Sequence, residues 1–160
     1  MNDIISIRNS TGGSYLKPKL EDLDLYERAL RIDQEALDYL KIKKNLSDDT
    51  ISWFDIGFDI NNQDITIPEK RNTEVINVAH LVFNKDLKQK YYKEKGCENW
   101  IFNEQAIQLA KTGNRSLLIT GNQFDCMSCY QAGFKTTISI PVGKDAVGNW
   151  IELFDSIPKI

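Results

Sequence analysis

The last third of the chain constrains its fold most. Residues 116–120 (SLLIT) are an apolar strand. Residues 124–134 (FDCMSCYQAGF) are of helix length and stop at Gly133. Residues 136–141 (TTISIP) are a β-branched strand closed by Pro141, and residues 145–157 (DAVGNWIELFDSI) read as a final helix. Strand–helix–strand–helix is the unit that builds a parallel sheet, because a crossover is needed to return the second strand in the same direction.

Upstream the pattern is mixed. Residues 1–19 carry TGGS and KPK and read as a loose tail. From Leu23, apolar residues at Tyr26, Leu30, Ala36, Leu37 and Leu40 recur at helical spacing, with a break near Asp33. Ser47 is a cap signal for a short helix over 48–54, with Gly57 as its stop. Residues 63–68 (QDITIP) and 74–83 (EVINVAHLVF) alternate as two strands of a hairpin turned by EKRNT. Residues 99–102 (NWIF) predict a short strand, and NEQAIQLAKTG a helix capped by Asn103 and stopped by Gly113. No internal repeat or low-complexity block interrupts the chain.

At 160 residues the chain can bury a core without disulfides or a structural metal. A net charge of −3 argues against strong attraction of the whole molecule to nucleic acid and leaves room for a local basic patch. Three cysteines, Cys97, Cys126 and Cys129, with no signal-peptide-like start, point to reduced thiols and a cytoplasmic setting. No run approaches the length of a membrane span, so no membrane partner is expected.

In an open parallel sheet, ligands bind beyond the carboxyl ends of the strands, and the turn Gly121-Asn122-Gln123 stands at such an end. The helix that follows offers free amides to a phosphate. The plainer reading is a short strand-to-helix loop in which Asp125 favours the helix start.

LLITGNQFDCMSCYQAGFKTTISIPVG resembles the first half of a Toprim domain of phage-type primase–helicases, the group that includes the mitochondrial replicative helicase. That family's pattern is a strand, Glu-Gly-x-x-Asp, a helix, an Ala-Gly-Phe-type turn, a strand and a Ser-x-Pro-x-Gly loop. Here the turn is Ala132-Gly133-Phe134, and the loop runs from Ser139 through Pro141 to Gly143. KEKGCENWIFNEQAI and LSDDTISWFDIGFDINNQDITIPE resemble the segments that precede it in the family. The resemblance implies an α/β fold: a primase-like subdomain of α+β character over 20–113, then the first half of a Toprim parallel sheet flanked by helices over 114–160, with 1–19 a flexible tail. It also implies DNA replication as the setting and two-metal phosphoryl transfer with Mg²⁺ as the chemistry.

The sequence departs from that family where the chemistry sits. The metal-binding glutamate aligns with Gly121, the family glycine with Asn122, and a further acidic position with Gln123; Asp125 alone is retained. The sequence reaches Pro158-Lys159-Ile160 where the family's strand carrying Asp-x-Asp is expected to begin. Where a Lys-x-Arg pair is usual, the chain reads Ala79-His80-Leu81. One carboxylate cannot supply the charge that two Mg²⁺ ions require. The expectation is a chain that is catalytically incompetent by itself, with no cofactor. Its partners would be single-stranded DNA or nucleotide, or a primase–helicase or other replication protein that it contacts or inhibits without catalysis.

Residues 85–95 (KDLKQKYYKEK) interleave Lys85, Lys88, Lys90, Lys93 and Lys95 with Tyr91 and Tyr92. Basic charge with aromatics suits single-stranded nucleic acid; the alternative is a solvated loop. Cys126-x-x-Cys129 is half a zinc or redox motif, with only Cys97 and His80 left to complete it. His80 lies in a predicted strand among apolar neighbours and is expected to be structural. Trp53, Trp100 and Trp150 are expected to be core or half-buried anchors.

Overall fold

The computed structural model describes residues 7–8, 14–82, 91–141, 149–155 and 157. A short ladder pairs β1 (Ile7–Arg8) with β2 (Ser14–Tyr15). Next come α1 (Leu20–Ile32), α2 (Gln34–Asp38), a π-helical turn (Tyr39–Lys43) and α3 (Asp48–Trp53). The sequence accounts for the joints. Asp33 leaves the helical region and its carboxylate accepts from Ala36 N–H, so it ends α1 and caps α2. Ser47 caps α3 in the same way by accepting from Thr50 N–H.

The first sheet is antiparallel, in the order β3 (Gly57–Asp59), β4 (Asp64–Arg71), β5 (Glu74–Val82), β6 (Tyr91–Lys93). After α4 (Gln105–Thr112), β7 (Leu118–Thr120) and β8 (Thr137–Ser139) pair in parallel across α5 (Gln123–Gln131). A 3₁₀ segment spans Asn149–Phe154. The fold is the mixed α/β arrangement expected, antiparallel sheet first and parallel pair second. No helix among the described residues is long and apolar enough to cross a membrane.

Register decides which residues are buried. Ile65 and Ile67 alternate on the β4 face that packs with Leu40, Ile51, Phe54, Phe58, Phe102, Cys126 and Met127 to form the main core. A smaller cluster of Ile101, Ala106, Ile107 and Ile138 packs Leu153 and Phe154 beside β8. The β4–β5 hairpin is longer and its turn tighter than EKRNT predicts. Only Asn72 and Thr73 lie between the strands, both at positive φ (48° and 73°). Pro68 does not end β4, because β3 has already run out at Gly57, opposite Thr66.

Other expectations are corrected. Gly57 does not stop α3: Asp55 turns the chain at φ 50°, and Gly57 opens β3 beneath α1. Asn103 does not cap α4. It sits at φ 61° and donates its side-chain N–H to Thr137 O. Residues 99–102 form only an isolated bridge, Phe102 with Ser139. Part of the predicted tail is tied down: Leu16 bridges Cys97, and Lys17 pairs with Glu74 at 3.0 Å.

Candidate functional site

The loop after β7 forms as the sequence suggests. Asn122 is the cap of α5, its side-chain oxygen accepting from Asp125 N–H at 2.9 Å. Its amide nitrogen donates to the Asp125 carboxylate at 2.6 Å. Asp125 is therefore engaged within its own loop. Gly121 is exposed, and a side chain there would meet nothing within 4 Å.

Gln123 points inward, and there the structure adds a residue that the sequence reading missed. Its Nε2 donates to Glu69 Oε1 at 2.7 Å. Lys93 Nζ donates to Glu69 Oε2 at 2.7 Å, and Tyr91 donates to Gln123 Oε1 at 3.3 Å. Glu69 is 2% exposed. Burial pushes its carboxyl above the usual range, with Lys93 working in the opposite direction. The Tyr91 hydroxyl is also pushed up, first by burial and then by the Glu69 charge. The signal for Glu69 was present: Ile65, Ile67 and Glu69 share one strand face by period two, but ending the strand at Pro68 leaves Glu69 in the turn.

The other face of the sheet carries a second polar row. Thr66 stands opposite His80, and His80 opposite Tyr92. The His80 and Tyr92 rings stack at 4.6 Å, and Tyr92 donates to Asp64. His80 Nδ1 lies 3.7 Å from Asp64 and Nε2 3.6 Å from Glu94. The expectation of apolar neighbours is corrected: as a strand residue His80 meets its cross-strand partners, and these are polar. Tyr26 of α1 closes the row from above, its hydroxyl pushed up to about 12 by burial and by Asp59.

The predicted basic run divides. Lys85, Lys88 and Lys90 lie outside the described residues. Tyr92 and Lys93 use their polar groups on Asp64 and Glu69 inside the fold, and Tyr91, though 46% exposed as a residue, commits its hydroxyl to Gln123, which leaves Lys95 as the exposed member of the run among the described residues. Cys126 is buried and within 3.4 Å of Thr137 O; burial pushes its thiol up to about 12. Cys129 and Cys97 are also free thiols. Trp100 is half-buried beneath the Arg71 guanidinium at 4.1 Å. Trp53 is not a core anchor. It is 52% exposed and stacks on Tyr130 at 5.5 Å. The Trp150 side chain lies outside the described residues.

Mg²⁺ needs convergent oxygen ligands. Among the described residues no three His, Cys, Asp or Glu side chains converge to hold a metal. Gly121 has no side chain, Gln123 offers an amide, and Glu69 is already matched by an ammonium group, so this donor set does not suit a pair of divalent cations. A separate cleft of about 790 Å³ lies between α3, the β4–β5 turn and α4. Trp53, Phe54, Phe102 and Ile107 line it, with Asp49, Glu104 and Lys111 also on its walls.

No family model matches the sequence, and no curated protein matches it. Solved structures match it in fold. The RNA polymerase domain of Mycobacterium tuberculosis primase DnaG, in complex with double-stranded DNA, superposes with a TM-score of 0.69 at 15% identity, over 84% of this chain and 58% of that one. The E. coli primase catalytic core gives 0.68 at 16% identity, over 85% and 57%. A DnaG primase catalytic domain bound to ssDNA gives 0.61 at 17% identity, over 81% and 52%. This chain thus spans little more than half the length of these three structures. Over that length, the antiparallel sheet followed by the parallel strand–helix–strand unit is the fold of the DnaG-type primase catalytic core.

Proposed function

We propose that this chain is a primase-type module of DNA replication that engages single-stranded DNA or nucleotide and does not carry out phosphoryl transfer by itself. The fold supports the first half of this reading, as does the match to a primase domain bound to ssDNA. One observation carries the second half. At the strand end where metal-held phosphoryl transfer would need free carboxylates, Gly121 is bare and Gln123 donates to a Glu69 already paired with Lys93. Its relation to phage-type primase–helicases rests on the motif order around 117–143.

The test is calorimetry with Mg²⁺ and Mn²⁺, with and without a nucleoside triphosphate and single-stranded DNA, alongside a primer-synthesis assay. The expected result is DNA or nucleotide binding with no metal-dependent component and no primer. Primer synthesis by the chain alone would overturn the reading.

A second reading, a non-enzymatic protein that contacts or inhibits a replication primase–helicase, is favoured by the cleft beside Trp53. A half-exposed tryptophan over an apolar floor is characteristic of protein-binding hot spots. Loss of primase–helicase binding on Trp53→Ala, with DNA binding unchanged, would distinguish it.

A further inference from the structure

Four buried side-chain atoms have no hydrogen-bond partner among the described residues, and three of them stand together on one sheet face. They are Asp64 Oδ1, Thr66 Oγ1 and His80 Nδ1. Asp64 and Thr66 alternate on β4, so their side chains share a face, and Thr66 pairs with His80 across the β4–β5 ladder. The three residues are 1%, 1% and 3% exposed. Tyr26 of α1 lies over them, its ring edge-on to His80 at 6.4 Å. Buried polar atoms are costly without a hydrogen bond, and a native fold leaves few of them unmatched.

The neighbouring donors are engaged elsewhere. Tyr92 donates to the other oxygen of Asp64, and Asn62 donates to Asp59 through both its backbone and its side-chain nitrogen. His80 Nδ1 lies 3.7 Å from Asp64 Oδ2, too far for a direct hydrogen bond. Across the ring, Nε2 faces Glu94 Oε1 at 3.6 Å. An ionised carboxylate only accepts, and Asp64 Oδ2 already has a donor in Tyr92, so the hydrogen of the neutral ring belongs on Nε2, toward Glu94. Nδ1 is then an acceptor. The three atoms are thus two acceptors and one hydroxyl, and a hydroxyl has a single hydrogen to give. One more donor group is needed, and it must donate twice. No three His, Cys, Asp or Glu side chains converge to hold a metal among the described residues, so a cation does not suit the place.

We propose that one internal water is bound beneath α1, donating to Asp64 Oδ1 and to His80 Nδ1 and accepting from the Thr66 hydroxyl. It makes three hydrogen bonds, about the usual number for a buried water. A bridging water also accounts for the spacing of His80 and Asp64, two polar groups that are close but not in direct contact. The water joins β4 to β5 on the face that α1 covers, and it exchanges with solvent only when α1 lifts. The inference rests on buried atoms of described residues and does not depend on the proposed function.

The test is magnetic relaxation dispersion of the water oxygen in a solution of the full chain at neutral pH, with the imidazole nitrogen chemical shifts measured alongside. His80 is the only histidine, so its ring signals need no assignment. The expected result is a long-lived water whose share of the dispersion is lost in Thr66→Val and kept in Thr66→Ser, with circular dichroism unchanged in both. His80 shows its hydrogen on Nε2 and a bare Nδ1. Should Thr66→Val not fold, the wild-type dispersion, Thr66→Ser and the ring shifts decide. Three outcomes overturn the proposal: no long-lived water in the wild type, the same dispersion in folded Thr66→Val, or a hydrogen on Nδ1. Hydrogens on both ring nitrogens would mean that an imidazolium joins Asp64 to Glu94 with no water between.

Discussion

Glu69 shows how much one side chain can decide. A carboxylate at 2% exposure is costly unless it is paired and hydrogen-bonded, and both of its oxygens are matched, one by Gln123 and one by Lys93. Removing one partner of a buried pair leaves the other charge uncompensated, at about 3–5 kcal/mol. Lys93→Met is therefore expected to destabilise the fold by about that amount at neutral pH. The loss has a pH dependence of definite sign. Burial raises the folded-state value of Glu69 above its ordinary 4.5, against the pull of Lys93. A raised carboxyl binds its proton more tightly folded than unfolded, so its contribution to stability is full below 4.5 and is lost as pH rises through the folded value. Without Lys93 that folded value moves higher still, and the deficit shrinks on acidification. Urea midpoints of both proteins at several pH values check this; a deficit constant with pH would refute it. The double change Lys93→Met with Glu69→Gln recovers most of the loss.

At the scale of elements, the helix boundaries at Asp33 and Ser47 were readable in the sequence. Asp33 and Ser47 place their carboxylate and hydroxyl on backbone N–H groups that any helix start leaves free, so local chemistry suffices to find them. Gly57 and Asn103 were misread because their reasons are not local. Asn103 serves the backbone of β8, 34 residues away. Gly57 is a close approach: an added Cβ would lie 2.6 Å from Tyr26 Cβ, 2.7 Å from Tyr26 C and 2.8 Å from Thr66 Oγ1. Two of those atoms move only if α1 lifts off β3. Gly57→Ala is therefore expected to cost about 1–3 kcal/mol or more, read as a lowered urea midpoint. The candidate loop was readable in outline from Gly121 to Asp125. Glu69 was readable as a residue of the β4 core face but not as the loop's inward partner, since only the packing of α5 against the antiparallel sheet brings it to Gln123, 54 residues away.

At the scale of the whole molecule, α5 joins the two sheets. Gln131 accepts from Ser47 N–H at 2.7 Å and donates to Asn45 O at 2.9 Å, fastening the end of α5 to the loop before α3. Tyr130 lies against Trp53 and Phe54 in the same seam. The inward face of α5 carries Cys126, which is fully buried. Its thiol, held up at about 12, is both shielded and protonated in the closed molecule. Alkylation of Cys126 therefore waits for α5 to part from the sheet, and the chain carries its own clock for that separation. Gln131→Ala removes two surface hydrogen bonds worth together about 1 kcal/mol, so it should quicken alkylation about fivefold. Mass spectrometry separates the Cys126 product from those of Cys97 and Cys129. The burial that keeps a thiol inert in the resting molecule thus makes it a reporter of how often the two halves let go.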